Sequence, residues 1–304
     1  MNDSTNETPA FKADYTIIGP VSMIFAATSV IITSYILIII LSTRQLHTVT
    51  RLLTCNTCFA SMLFCVTQFI AYTYLLVIKW DTSDQSCRWR GYFGYMSMIA
   101  FIYSYLLQVI SRFFFIVLST KYRWLTSAKT HLCMIFIAWT IIIILPLPTI
   151  LTNDIIFRKD DLCWVPKKYK LHCYYMVAVC YVIPILLIII FNINIFARLY
   201  HNRKHTIAHG TTRRHDREYL VSRNIMISFS AYFIGGVPYM LYIFSGVGLL
   251  YSMGVVTITF AVSMEKLVII YLDGELRSMI RNYLCQTKTA VVPFAVNVGV
   301  TTLR

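Results

Sequence analysis

From Ile225 to Met264 the chain runs for 40 residues without a charged side chain. Wound as one α-helix at about 1.5 Å per residue, that stretch would be about 60 Å long, twice the ~30 Å hydrocarbon thickness of a bilayer. It therefore predicts two membrane-crossing helices. The expected break is the cluster Gly246, Gly248, Ser252 and Gly254, where glycines release the helical backbone. The two spans are then placed at about Ile225 to Phe244 and Val255 to Leu272. Five other runs are uncharged over the length of a crossing: Ile17 to Leu41, Leu52 to Ile78, Gly91 to Ser111, Leu132 to Leu151 and Cys173 to Ala197. The expected fold is an all-α membrane protein, a bundle of seven transmembrane helices. Only 13% of the residues are charged, against ~25% in soluble domains, which excludes a water-soluble chain.

The net charge of +14 then needs a location. Taking the connecting segments alternately, one side of the membrane carries 17 Lys and Arg and a net +13, and the other carries nine and a net +1. Loops that stay in the cytoplasm keep the basic excess, so the first side is cytoplasmic and the amino end is outside. The charge is thus assigned to the membrane face, and nucleic acid is not an expected partner. Asn2-Asp3-Ser4 and Asn6-Glu7-Thr8 are glycosylation acceptors on the external side. Residues 1–16 read as an extracellular glycosylated terminus, polar and acidic, so that span one is expected to act as a signal anchor. Residues 17–272 form the membrane domain, and 273–304 an amphipathic helix and cytoplasmic tail.

Cysteine use is sparse. Cys87, at the outer end of span three, is exposed to an oxidising compartment, and both Cys163 in the second outer loop and Cys173 at the start of span five are possible partners. Cys55-x-x-Cys58 has no second pair or histidine cluster, so it reads as helix packing, and no metal is expected. No span carries paired carboxylates, a histidine cluster or a phosphate-binding glycine loop, so the chain is not read as an enzyme and no cofactor is expected.

Within the spans a set of spacings stands out. Arg112 follows Cys87 by 25 residues, Trp139 follows by a further 27, and Pro184 and Pro238 interrupt spans five and six. This pattern resembles the rhodopsin-like (class A) family of G-protein-coupled receptors over roughly Ile17 to Cys285. The resemblance implies a receptor that transmits binding of an unidentified extracellular ligand to a cytoplasmic heterotrimeric G protein, with a Cys87–Cys163 disulfide. It implies that Arg112, in Ser111-Arg112-Phe113, couples to the G protein and pairs at rest with Glu218, 20 residues before Pro238, and that Lys121 and Tyr122 contact the G protein. It places the ligand pocket at Gly94, Tyr95, Met98, Met176, Cys180, Tyr239 and Ile243. A biogenic amine is disfavoured, because Gly94 stands where amine receptors keep an aspartate.

The chain departs from the pattern it resembles at several positions. Ser61 stands in place of the sodium-site aspartate of span two, Gly236 in place of the span-six tryptophan, and Asn192 in place of a span-five tyrosine. Span seven, Ser263 to Tyr271, lacks the Asn-Pro pair. The alternative reading is a non-coupling or channel-like seven-span chemosensory protein. Glu265 and Lys266 are charges inside span seven and so are functional candidates. Lys266 lies too far inward for a retinal Schiff base. The expected arrangement has Lys266 snorkelling to the inner face and Glu265 meeting Asn56 or Ser61. The basic loop from Arg198 to Arg223 is expected to be the inner ends of spans five and six, facing anionic lipid heads. Leu276, Met279, Ile280, Tyr283 and Leu284 recur at helical spacing on a surface helix that ends at Cys285, a candidate palmitoylation site.

Overall fold

The computed structural model describes residues 15–42, 48–78, 80–119, 121–158, 162–166, 168–206, 212–274 and 276–281. Seven helices in it are long and apolar enough to cross a membrane. Span one is Tyr15–Ser42, span two Val49–Leu76 and span three Asp84–Phe113, extended by a π-helical turn at Phe114–Leu118. Span four is Ala128–Ile144 with a short continuation at Leu147–Leu151, the break falling at Pro146. Span five is Lys170–Val177, a π turn at Ala178–Val182 and Ile183–Thr206, while spans six and seven are Thr212–Ser245 and Gly248–Leu272. The helices run beyond the uncharged windows at most ends, because charged residues join a helix once it has left the hydrocarbon.

The break between spans six and seven is tighter than the glycine cluster suggests. Only Gly246 leaves the helix, with φ of 78°, a left-handed conformation that glycine adopts without strain. Gly248, Ser252 and Gly254 are all inside span seven. Gly254 serves close packing instead: a Cβ there would lie 2.6 Å from the Tyr239 backbone nitrogen on span six. Thr257 Oγ1 crosses the same seam and donates to Gly235 O at 2.7 Å.

Span one shows how the bundle meets lipid. From Gly19 to Thr33 its buried stripe is Gly19, Ser22, Ala26, Ser29 and Thr33, with Ile36, Ile39 and Ile40 taking over at the inner end, while Ile17, Ile24, Ile31 and Ile38 are exposed. Hydrocarbon solvates isoleucine as well as a protein core does, so small residues that let backbones approach take the interior. The two π turns have different settings. The one in span five directly precedes Pro184, whose ring removes the hydrogen bond to the Cys180 carbonyl, and the wider turn absorbs the misfit. Past span seven, residues 276–281 are helical. Asp273 Oδ1 accepts from Leu276 N at 3.0 Å, Leu276 is fully buried against Ile36, Ile40 and Cys58, and Arg51 lies 3.7 Å from Asp273. Asn2, Asn6 and Cys285 lie outside the described residues.

Candidate functional site

At the outer end, Cys87 and Cys163 are joined in a disulfide with their Cα atoms 5.3 Å apart, so the partner is Cys163 and not Cys173. The bond draws the second outer loop down onto span three so closely that a Cβ on Gly91 would meet the Cys163 carbonyl at 2.4 Å. The loop is held there by a hydrogen bond from Val165 N to the Tyr95 hydroxyl at 3.0 Å. It carries Trp164 into the bundle, with its ring 5.2 Å from Tyr95 and 5.6 Å from Tyr239.

Trp164 divides the space beneath the loop. On one side, a cavity of about 460 Å³, counted with its mouth, is lined by Tyr95, Met98, Met176, Cys180, Tyr239 and Ile243 among others. These are six of the seven residues assigned to the ligand pocket by resemblance. The seventh, Gly94, lies elsewhere: it lines a second cavity of about 780 Å³, likewise counted with its open mouth, which Trp164 also borders and which lies between spans two and three. The reason is angular, since Gly94 and Tyr95 are adjacent on a helix and point about 100° apart. Trp164 also closes a third, smaller space of about 350 Å³ above Phe64, Val255 and Ile258.

The position of the missing span-six tryptophan is not empty. A Cβ on Gly236 would fall 2.6 Å from the Tyr181 ring, which lies in the space that a larger side chain would take. Tyr181 comes from the π turn of span five, and its hydroxyl donates to Phe233 O at 2.7 Å, in the span-six turn preceding Pro238. Both Tyr181 and Gly236 line the smaller of the two outer cavities. The sequence shows the glycine but not which neighbour takes its place, because that depends on the bulge in span five.

Deeper in the bundle, Glu265 and Lys266 are fully buried and face each other, Lys266 Nζ 2.8 Å from Glu265 Oε2. This corrects the expectation that Lys266 snorkels and Glu265 reaches span two. The contact is an ion pair whose angles do not suit a hydrogen bond. The other carboxylate oxygen accepts from the Tyr105 hydroxyl of span three, and the ammonium lies 5.6 Å from the Phe101 ring centre. Asn56 is engaged elsewhere, its Oδ1 accepting from Trp139 Nε1 at 2.9 Å. Ser61 is buried, and its hydroxyl meets no hydrogen-bond partner among the described residues. Asn192 turns back on its own helix and donates to Ile188 O at 2.7 Å.

At the inner end, Arg112 is 5% exposed, and its Nη2 donates to Thr50 Oγ1 at the start of span two, at 2.8 Å. Its neighbour Ser111 lies 2.9 Å from His131 Nε2 of span four, and His131 Nδ1 lies 2.9 Å from Ser127 O. Span three is thus held at its base by spans two and four, a connection that the family motif alone does not reveal. Glu218 lies on the helix of span six, but its side chain is outside the described residues. Lys121 and Tyr122 are exposed beyond span three, with the Lys121 ammonium 5.3 Å from the Tyr122 ring centre.

An outer disulfide thus roofs a cavity, and a buried arginine lies at the base of the same helix. A search of the curated proteins finds no match to the chain. The family profile of the 7 transmembrane receptor (rhodopsin family) matches residues 32–264, most of the chain. The chain belongs to the rhodopsin family of seven-transmembrane receptors and is a multi-pass protein of the plasma membrane.

Proposed function

We propose that this receptor takes a small, largely apolar extracellular ligand between spans three, five and six and passes the signal to a heterotrimeric G protein at its basic inner face. The observation that carries the reading is that span three bears both ends of the device. Tyr95 and Met98 line the cavity under Trp164, and Arg112 lies buried at the inner end of the same helix. Among its described lining residues the cavity carries no carboxylate to meet an amine. In this reading Arg112 pairs with Glu218 at rest. Releasing that pair lets span six swing outward and admits the carboxyl-terminal helix of a G-protein α subunit, with Lys121 and Tyr122 beside it. Tyr181, which touches the cavity and span six at once, takes the relay role left vacant at Gly236.

The test is a G-protein dissociation assay across α-subunit types, comparing wild type with Arg112→Ala and Glu218→Ala. The proposal requires Glu218→Ala to raise ligand-independent dissociation and Arg112→Ala to abolish it. If neither substitution changes any α-subunit response, the coupling reading is wrong and a non-coupling seven-span protein takes its place. Glycan mapping at Asn2 and Asn6 tests the external amino end, and acyl labelling with Cys285→Ser tests the lipid anchor.

A further inference from the structure

The larger outer cavity, between spans two and three, plays no part in the ligand reading above, and its chemistry differs from that of its neighbour. Its lining combines Arg90 and Arg158 with one carboxylate, Asp81, with Gln68 and with apolar groups such as Leu75, Ile78 and Phe157. The Arg90 side chain is only 13% exposed, and its Nε and Nη2 meet no hydrogen-bond partner among the described residues. The nearest carboxylate is that of Asp81, whose Oδ2 lies 3.7 Å from Nη2, an ion-pair distance too long for a hydrogen bond. Asp81 is held back by its own loop: Ser86 Oγ donates to Oδ2 at 2.5 Å and Ser83 N donates to Oδ1 at 3.2 Å. One face of the guanidinium is covered by the Tyr74 ring, 4.2 Å away, which leaves the in-plane donors to be met. Nε and Nη2 are the two nitrogens of arginine whose N–H bonds run parallel, a fork that matches the two oxygens of a carboxylate. Shielded from water and without a hydrogen-bond acceptor among the described residues, such a fork is destabilising until an acceptor arrives.

We propose that this cavity binds a small amphiphilic carboxylate, its apolar body against Leu75, Ile78 and Phe157 and its two oxygens on Arg90 Nε and Nη2, which are covered in this conformation and turn toward the cavity to meet it. Arg158 borders the same lining opposite in charge to Asp81, and Gly94 leaves room, with nothing within 4 Å of where its Cβ would stand. The site is distinct from the cavity under Tyr239, and its occupancy is independent of whether the receptor couples to a G protein.

The experiment uses full-length receptor in lipid nanodiscs with thermal unfolding as the readout, so that no ligand of the other cavity and no G protein is needed. Octanoate is the probe, octanol the same body without the charge, and acetate the charge without the body. Octanoate is expected to raise the unfolding midpoint in a saturable way, by roughly 5 °C at a hundredfold excess over its Kd. Octanol and acetate should each give less than half that shift. Arg90→Gln should lose the octanoate shift, and Arg90→Lys, which keeps the charge but not the fork, should raise the Kd at least about tenfold. An octanol shift equal to that of octanoate, or an octanoate shift retained in Arg90→Gln, overturns the proposal. So does the absence of any shift in wild type. If Arg90→Gln fails to fold, the comparison of octanoate with octanol on wild type still decides.

Discussion

Lys266 and Glu265 offer a double-substitution test of how charge is held inside this bundle. Replacing Lys266 alone by Met leaves the Glu265 carboxylate fully buried, with the Tyr105 hydroxyl still donating but the cation 2.8 Å away removed. Replacing Glu265 alone by Gln leaves an ammonium that faces the Phe101 ring at 5.6 Å without a counter-charge. Removing one member of a buried pair destabilises by about 3–5 kcal/mol, because the survivor stays desolvated, whereas exchanging both for neutral groups of similar volume is often close to neutral. At about 2 °C or more per kcal/mol for a chain of this size, each single substitution should lower the unfolding midpoint by roughly 6–10 °C. The double variant Glu265→Gln, Lys266→Met should return to within about 2 °C of wild type. The buried thiols of Cys58, Cys65 and Cys180 supply the readout, since a thiol-reactive fluorophore reaches them only on unfolding. If the double variant instead loses the sum of the two single losses, the residues are not a charge pair and the reasoning fails.

Three further outcomes follow from packing and charge. Gly254→Ala drives a Cβ into the backbone of Tyr239 at 2.6–2.8 Å and should destabilise by about 1–3 kcal/mol, whereas Gly94→Ala enters open space and should stay within about 0.5 kcal/mol; thermal unfolding of the two side by side checks the seam between spans six and seven. Cys163→Ser opens a loop with a sequence separation of 76 and should cost about 4 kcal/mol on the chain-entropy account, measured as a fall in unfolding midpoint that dithiothreitol reproduces in wild type. The third outcome concerns pH. The hydrogen bond from Ser86, followed by that from the Ser83 backbone, holds the Asp81 carboxyl below its ordinary value of 3.8. The native state therefore takes up this proton less readily than the unfolded chain, so the stabilisation is complete above 3.8 and is lost as the pH falls through the native value. Asp81→Asn should be less stable than wild type at neutral pH, with the gap closing as the pH drops below 3.8; a gap that widens in acid contradicts the assignment.

The seven spans were legible from run length and the rhodopsin-family membership from spacing along the chain, and the Cys87–Cys163 bond was implied by that resemblance where the residues alone left Cys173 open. What was not legible depends on how helices are rotated against each other. Gly94 belongs to a different cavity from Tyr95 because one residue turns a helix by about 100°. Lys266 and Glu265, expected to part toward the inner face and span two, leave one backbone at different angles, and long flexible side chains close that angle when both lie in the interior. Ser111 met His131 across two spans, and a linear reading carries no signal for that contact. The glycines between spans six and seven were read as chain breakers, yet in hydrocarbon glycine is also the residue of closest helix approach, and Gly254 takes that role.

Trp164 touches all three outer cavities, and the disulfide at the neighbouring Cys163 ties it to span three. A partition of this kind makes the volumes on its two sides complementary: a guest that pushes the indole away enlarges its own chamber and narrows the next. Occupancy on one side then sets the affinity on the other, and by thermodynamic reciprocity the influence is equal in both directions. On the two proposals above, an apolar guest under Tyr239 and an acidic one beside Arg90 would each change the affinity for the other.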